Sequence, residues 1–234
     1  MIIVHHLNDS RSQRILWLLE ELGVSYEIRK YYRTSLHQAP KELLEVNPLG
    51  KSPVITDGDV KLAESGAIIE YLIEKYGNGR FRTTTESEHI NNLYYTHYAE
   101  GSLMPVLVMG LIFRFVPQQS PWFLRPFMRF IFNQLEKLLV KPELAKHSEL
   151  VSKYLASLSG ATFKEQKVEQ QLSKVKWIAG GAEPTSADFI MIFPLEGLAE
   201  IKEAGKSTSE YIQKVHARPA YKRGLEKGGK FVYA

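Results

Sequence analysis

Apolar positions in the first 76 residues switch between the spacing of strands and the spacing of helices. A short apolar run at the N-terminus predicts a strand, and apolar residues at helical spacing after Ser10 predict a helix that stops at Gly23. The predicted elements are strand Ile2–His5, helix Ser10–Gly23, strand Tyr26–Lys30, helix Pro40–Val46, hairpin strands at Val54–Ile55 and Val60–Ala63, and helix Ser65–Tyr76. The chain therefore begins with the order β-α-β-α-β-β-α.

The spacing changes after residue 84 and becomes helical throughout. Thr85–Glu88 and Thr185–Asp188 each fit a capping box at the start of a helix. Gly77–Arg80 carries turn residues and indicates a linker. We therefore predict an α/β domain over residues 1–80 and an all-α domain over residues 84–234. The element order of the first domain is that of the thioredoxin-like fold.

Composition narrows the classes of protein to consider. The 234 residues include no cysteine and carry a net charge of +4, so disulfides and thiolate sites are excluded. The charges are dispersed, which does not favour a nucleic-acid partner. The N-terminus does not have the pattern of a signal peptide. The most apolar stretch, Leu103 to Phe113, is shorter than the ~20 residues that span a bilayer. We expect a cytoplasmic protein without a nucleic-acid or membrane partner.

The candidate chemistry begins at the predicted hairpin, around Pro53-Val54 and Glu64-Ser65. Pro53 removes one N–H donor from the first hairpin strand, and a cis bond before it would turn the backbone of Val54 toward a ligand. Glu64 and Ser65 begin a helix, whose free N–H groups suit a carboxylate. These residues together suit a small zwitterionic peptide.

This constellation resembles the glutathione-binding half of a glutathione transferase, and the two-part layout is similar to that of the cytosolic family over nearly the whole chain. The residues Leu7–Arg14, followed by Leu16–Leu22, resemble the serine-type branch. The residues His97–Pro105 narrow the resemblance to fungal and bacterial theta-like relatives. Trp177–Gly180, followed by Thr185–Asp188, resembles the helix-capping motif of the family's second domain.

The resemblance implies a role for Ser10, Val54, Glu64 and Ser65. Ser10 would be the catalytic hydroxyl that donates a hydrogen bond to the glutathione thiolate, although serine at a helix start is most often a simple cap. Ser12 is the nearest rival. Glu64 would pair with the γ-glutamyl ammonium, and Ser65 would hold the neighbouring carboxylate. Val54 would pair through its backbone with the cysteinyl unit.

The glycine carboxylate of glutathione would be held by a basic residue. Lys51 is the best candidate, and His37 is a second one in a loop where Gln38 could take its place. The helical domain would contribute an apolar pocket for the electrophile, with Tyr98 able to polarise a substrate oxygen. The histidines show no spacing typical of metal ligands, so we expect no metal, and glutathione enters as a co-substrate.

The resemblance implies a glutathione transferase that conjugates hydrophobic electrophiles in detoxification and oxidative stress, with some peroxidase side activity. The alternative is a glutathione-binding interaction protein of the same fold without catalysis. A third interpretation places Leu103 to Ile131, with Arg114, Arg125 and Arg129, on a membrane surface. A two-helix hairpin that buries a core and a dimer contact is the favoured interpretation of that segment. The family is usually dimeric, which implies a homodimer.

Overall fold

The computed structural model describes residues 1–35, 38–158, 177–229 and 231. The strands are β1 (Ile2–Leu7), β2 (Tyr26–Tyr31), β3 (Val54–Asp57) and β4 (Val60–Ala63). The helices are α1 (Gln13–Leu22), α2 (Lys41–Val46), α3 (Ser65–Tyr76), α4 (Glu86–Tyr98), α5 (Met104–Gln119), α6 (Arg125–Leu135), α7 (Lys141–Leu158), α8 (Ser186–Glu200), α9 (Lys206–His216) and α10 (Pro219–Gly228). Leu172, Val175 and Trp177 predict the end of a further helix before Gly180, and Leu172 and Val175 lie outside the described residues.

The described strands form one mixed sheet in the order β2-β1-β3-β4. Strand β1 pairs parallel with β2 and antiparallel with β3, and β3 pairs antiparallel with β4 across the Gly58-Asp59 turn. Gly58 has a φ of 61°, which a residue without Cβ adopts readily. The predicted order β-α-β-α-β-β-α is confirmed, and so is the thioredoxin-like fold followed by helices.

Helix α1 lies at the centre of the core because its side chains from Gln13 to Glu20 are all buried. Trp17 lies 4.5 Å from Phe189, measured between ring centroids. Helix α10 packs against α1 at Gly224, where a Cβ would lie 3.2 Å from the backbone nitrogen of Trp17. Arg223 Nε donates to Glu20 Oε2 at 2.7 Å and joins the same two helices. The C-terminal helix thus completes the core of the strand-bearing unit.

The chain divides into two compact units that are not continuous in sequence. The first contains Met1–Thr96 together with the described residues within 176–193 and 212–234. The second contains the described residues within 97–175 and Pro194–Tyr211. The strand-bearing unit therefore also contains segments from the end of the chain. The predicted domains, residues 1–80 and 84–234, stay a prediction.

Each predicted capping box forms in part, with one of its two reciprocal hydrogen bonds present. The Asp188 carboxylate accepts from the Thr185 N–H at 2.7 Å and from its hydroxyl at 3.1 Å. It also accepts from the Ile178 N–H at 2.8 Å, so the fully buried carboxylate fixes the turn before α8. At the start of α4, the Glu88 N–H donates to the Thr85 hydroxyl at 3.2 Å, while the Glu88 carboxylate accepts from the Thr84 N–H at 2.8 Å.

The segment from residue 86 to 140 is almost entirely helical. A π turn at Ala99–Leu103 joins α4 to α5, and a second at Glu136–Val140 joins α6 to α7. The prolines and aromatic residues from Pro117 to Pro126 predict a loop. Helix α5 instead continues through Pro117 to Gln119, so the connection is reduced to residues 120–124. Among the described residues, the 34-residue run Glu86–Gln119 is long and apolar enough to cross a membrane by those two criteria alone. One such helix is weak evidence of a span.

Candidate active site

The sheet register brings the predicted binding segment to one place at the end of β1. Val54 lies directly opposite His5 on β1 and opposite Ala63 on β4. Glu64 and Ser65 follow Ala63 immediately, so they begin α3 beside the start of β3. The peptide bond between Ser52 and Pro53, just before β3, is cis.

Ser52 holds the loop before β3 against the end of β1. Its hydroxyl donates to the His5 carbonyl at 2.8 Å and accepts from the Leu7 N–H at 3.2 Å. Ser10 contacts the same residue at the end of β1, since its hydroxyl donates a hydrogen bond to the Leu7 carbonyl at 2.7 Å. A short set of bonds therefore connects Ser10 to the Pro53-Val54 segment, more than forty residues away in sequence.

Ser10 lies in the turn between β1 and α1 rather than at the first helical residue. Asp9 has a φ of 48°, and the helix begins only at Gln13. Ser12 is therefore the residue next to the helix, and its side chain makes no capping hydrogen bond. The prediction that Ser10 begins the helix is wrong by three residues, because the chain makes an extra turn before α1 starts.

The Ser10 hydroxyl belongs to a buried polar chain. Ser10 is 6% exposed, and its Oγ lies 2.8 Å from the Oγ of fully buried Ser12. The Ser12 Oγ lies in turn 2.7 Å from His6 Nδ1. Burial, and then the positive charge of Lys30, lower the pKa of His6 to about 4, so the ring is neutral at pH 7. The arrangement is a row of two hydroxyls that ends on a neutral imidazole.

Sequence reasoning missed the role of His6 and Ser12 in this row. Alternation along β1 predicts only that His5 and His6 point to opposite faces. His5 instead contacts the Tyr31 hydroxyl at 2.9 Å and the Thr56 hydroxyl at 3.0 Å. The spacing Ser10-x-Ser12 after a strand that ends near a histidine is the only sequence signal of the row.

Glu64 has a strained backbone. Its φ of 72° and ψ of 120° lie outside the regions favoured by residues with a Cβ. Its carbonyl accepts from the Ile68 N–H at 2.9 Å, which closes the first turn of α3. Strain of this kind persists where the surrounding structure holds it and is often found at functional sites. Ser65 beside it is 5% exposed.

Asn47 orders the loop that carries Lys51. The Asn47 amide donates to the Lys51 carbonyl at 2.9 Å, and its backbone carbonyl accepts from the Gly50 N–H at 2.7 Å. Gly50 has a φ of 60°, and a Cβ there would lie 2.9 Å from the Leu44 side chain. The loop leaves Lys51 exposed, one residue before Ser52.

The remaining candidates are distributed over both units. His37 lies outside the described residues, whereas Gln38 is exposed and pairs with Thr34 through its backbone. In the second unit, the Tyr98 hydroxyl lies 2.6 Å from His147 Nδ1. Arg14 is buried and donates to the Ile190 carbonyl at 2.6 Å, as expected of a structural arginine. In the described part of the chain, no group of three or more metal-ligating side chains converges.

Residues 1–74 match the family model of the glutathione S-transferase N-terminal domain. The chain is 31% identical to glutathione S-transferase 3 of Schizosaccharomyces pombe over 97% of this chain and 88% of that protein. It is 27% identical to the crystal structure of a glutathione S-transferase from Actinobacillus pleuropneumoniae, with a TM-score of 0.66 over 97% of this chain and 93% of the other. A glutathione transferase family member from Pseudomonas fluorescens with two glutathione molecules bound shares the fold, with 23% identity and a TM-score of 0.67 over 96% and 92% of the two chains.

The chain belongs to the glutathione S-transferase family. The predicted family and fold are thereby confirmed. The roles of Ser10, Lys51, Val54, Glu64 and Ser65 stay predictions, as does the choice between His37 and Gln38.

Proposed function

We propose that this protein transfers the glutathione thiolate to hydrophobic electrophiles, with Ser10 as the hydroxyl donor to sulfur. The observation that carries the proposal is the convergence at the end of β1. The Ser10 hydroxyl donates to the Leu7 carbonyl, and the Leu7 N–H donates to the Ser52 hydroxyl. Glu64 follows β4, which is two strands away from β1 in the sheet. A peptide lying along this edge would reach a hydroxyl, a strand and a helix N-terminus.

Glu64 and Ser65 are suited to the γ-glutamyl end of glutathione. A carboxylate that accepts from an ammonium makes a charge-assisted hydrogen bond, about twice as strong as a neutral one. The N-terminus of α3 favours the adjacent carboxylate. We assign the Val54 backbone to the cysteinyl unit and Lys51 to the glycine carboxylate, with His37 or Gln38 beside it.

Ser10 would act by stabilising the thiolate, not as a base. A free thiol has a pKa near ~8.5, and lowering it by one or two units corresponds to about 1.4–2.7 kcal/mol of preferential thiolate binding. The Ser10 proton now points toward the Leu7 carbonyl. Donation to sulfur requires the hydroxyl to rotate, and the charge-assisted bond to a thiolate offsets the loss of that neutral bond.

The neutral ring of His6 can orient the row of hydroxyls. If the proton of His6 is on Nδ1, Ser12 accepts from His6 and donates to Ser10. The Ser10 proton is then left for sulfur. We assign this direction, because with the proton on Nε2 Ser12 would donate to His6 and accept from Ser10, which would turn the Ser10 proton inward. The thiolate sulfur then bonds to the electrophilic carbon, and the leaving group departs with the bonding electron pair.

The test compares Ser10→Ala with Ser12→Ala. Removing the Ser10 hydroxyl should raise the pKa of the bound thiol by about 1 to 2 pH units and lower kcat/KM for an aryl halide by roughly 10- to 100-fold. The measurements are the ultraviolet absorbance of the thiolate against pH and the conjugation rate. Ser12→Ala removes a buried hydroxyl of the same row and should have the smaller effect. Full activity in Ser10→Ala would contradict the assignment.

The non-catalytic alternative predicts retention on immobilised glutathione without turnover in the wild type. No feature of the described site favours it, and the S. pombe relative carries the name of a transferase. Peroxidase side activity belongs to the same proposal and is measured with an organic hydroperoxide. A homodimer, a cytoplasmic location and the absence of a nucleic-acid partner stay predictions.

A further inference from the structure

In place of the dimer contact expected from the sequence, we propose that the tip of the α5–α6 hairpin docks on the surface of a membrane that contains anionic lipids. The hairpin belongs entirely to the second unit. The two helices contact each other where Phe113 and Phe132 lie 5.5 Å apart between ring centroids. Beyond this pair the hairpin ends in the short connection 120–124, which is the tip.

Large apolar side chains cover the tip and face solvent. We name as the tip cluster the exposed apolar residues beyond the Phe113–Phe132 pair: Phe115, Trp122, Phe123, Leu124, Phe127 and Phe130. Trp122 is 79% exposed, and Phe127 and Phe130 are 62% and 64% exposed. None of the described residues of α6 is buried. Contiguous apolar surface of this kind indicates an interaction site.

The connection at the tip is ordered by its own hydrogen bonds. The Leu124 N–H donates to the Pro121 carbonyl at 2.9 Å, and the Arg125 side chain donates to the Ser120 carbonyl at 3.0 Å. The Ser120 hydroxyl donates to the Val116 carbonyl at 3.1 Å. The backbone that carries the exposed aromatic residues is therefore a defined turn.

The charge of the segment identifies its partner. Residues 101–135 contain three arginines and no acidic residue, whereas the chain as a whole contains 30 basic and 26 acidic residues. Arg114 pairs with Glu136 at 2.7 Å, so Arg125 and Arg129 carry the charge of the tip. On α6, Arg125 and Arg129 are four residues apart and share one face, while Phe127 and Phe130 share another. Both arginines are exposed. Exposed aromatics beside basic side chains are typical of a helix that lies in the interface of an anionic bilayer.

A second copy of this chain is the competing occupant. In a two-fold dimer a residue of one copy contacts a different residue of the other, unless it lies on the axis. Tip-to-tip pairing on such an axis would place Arg125 and Arg129 of one copy against those of the other, with no acidic residue in 101–135 to offset them. An anionic lipid surface meets the same arginines with opposite charge, so the lipid is the better match. The long apolar run Glu86–Gln119 leads into the tip, and 22% of its most apolar window is buried.

The three tryptophans make the docking directly measurable. Trp17 and Trp177 are buried, so a change in tryptophan emission on docking comes mainly from Trp122, whose side chain would pass from water into lipid. The full chain is mixed with vesicles of phosphatidylcholine alone, or of phosphatidylcholine with phosphatidylserine. Docking should shift the emission to shorter wavelength with the anionic vesicles, and lipids brominated near the interface should quench it.

Two pairs of variants separate the apolar and the charged contributions. In vesicle co-sedimentation, the double variant Phe127→Ser with Phe130→Ser should lose binding. The control is the double variant Leu138→Ser with Leu150→Ser, which changes apolar residues exposed elsewhere in the same unit and should keep binding. Arg125→Glu with Arg129→Glu should weaken partitioning by roughly 30-fold or more. Lys61→Glu with Lys222→Glu changes the net charge equally and should have little effect. Circular dichroism confirms that each variant is folded.

Three results would overturn the proposal. The first is the absence of binding to anionic vesicles by the wild type. The second is binding that the tip variants retain. The third is a dimer in sedimentation equilibrium that the Phe127 and Phe130 variants dissociate, together with Trp122 emission at short wavelength before vesicles are added. The tip would then be an interface between copies of the chain.

Discussion

Glu64 offers the sharpest test of the site, because its backbone and its carboxylate can be changed separately. Its φ of 72° puts a residue with a Cβ in an unfavourable conformation, at a cost on the order of 1–3 kcal/mol. Glu64→Gly relieves that cost and adds about 0.5–1 kcal/mol of chain entropy to the unfolded state. Glu64→Ala keeps the strain. The glycine variant should therefore be more stable than the alanine variant by about 1 kcal/mol in urea unfolding.

Both variants lose the carboxylate that we assign to the γ-glutamyl ammonium. A hydrogen bond to a charged group contributes about 1.5–3 kcal/mol, so glutathione affinity should fall by roughly 10- to 100-fold in each. Isothermal titration with glutathione measures the affinity. Asp59→Ala removes an exposed acid from the neighbouring turn and serves as the charge control, with affinity and stability close to the wild type.

Two outcomes would refute this reasoning. If Glu64→Ala is at least as stable as Glu64→Gly, the conformation of residue 64 stores no strain. If glutathione binds both variants as tightly as it binds the wild type, the carboxylate is not part of the site.

Further predictions concern stability. Hydrogen bonds from Lys75 and then Tyr76 lower the pKa of Asp57 to about 2. Asp57 should therefore contribute about 2 kcal/mol to the unfolding free energy that the wild type loses as the pH falls from about 4 to about 2, and urea titrations at each pH should show a loss smaller by that amount in Asp57→Asn. Asp188→Asn should cost about 2–4 kcal/mol in urea unfolding, because an amide cannot accept all three hydrogen bonds of the buried carboxylate. Gly224→Ala should lower the thermal midpoint, at a cost of about 1–3 kcal/mol, since backbone atoms of α1 block the new methyl group. Gly101→Ala, which meets nothing within 4 Å, is its neutral control.

The elements of the strand-bearing unit could be predicted because each has a local signal. The Asp57-Gly58 pair marks the hairpin turn, and the box at Thr185–Asp188 marks the start of α8. The cis bond at Pro53 and the pairing of Val54 with Ala63 agree with the expected geometry. These features depend on contacts between residues close in sequence.

Long-range packing had no such signal. The contact of Gly224 with Trp17 joins residues more than 200 positions apart, so α10 could not be placed beside α1 from spacing alone. The row from Ser10 to His6 likewise depends on how the turn after β1 folds back. The predicted loop over 117–126 followed from its prolines, yet Pro117 is accommodated within α5. Proline disfavours a helix interior without forbidding it.

A π turn lies on each side of the α5–α6 hairpin. Each interrupts a helical run, one before α5 and one after α6. A π turn holds one residue more than the α-helix it replaces, and each residue of an α-helix turns the chain by ~100°. Deleting one residue at Ala99–Leu103 would thus rotate the following helix by about a quarter turn and redirect the tip without altering its sequence. Insertion or deletion of a residue at these two points would therefore change the direction in which a hairpin of the same sequence presents its exposed side chains.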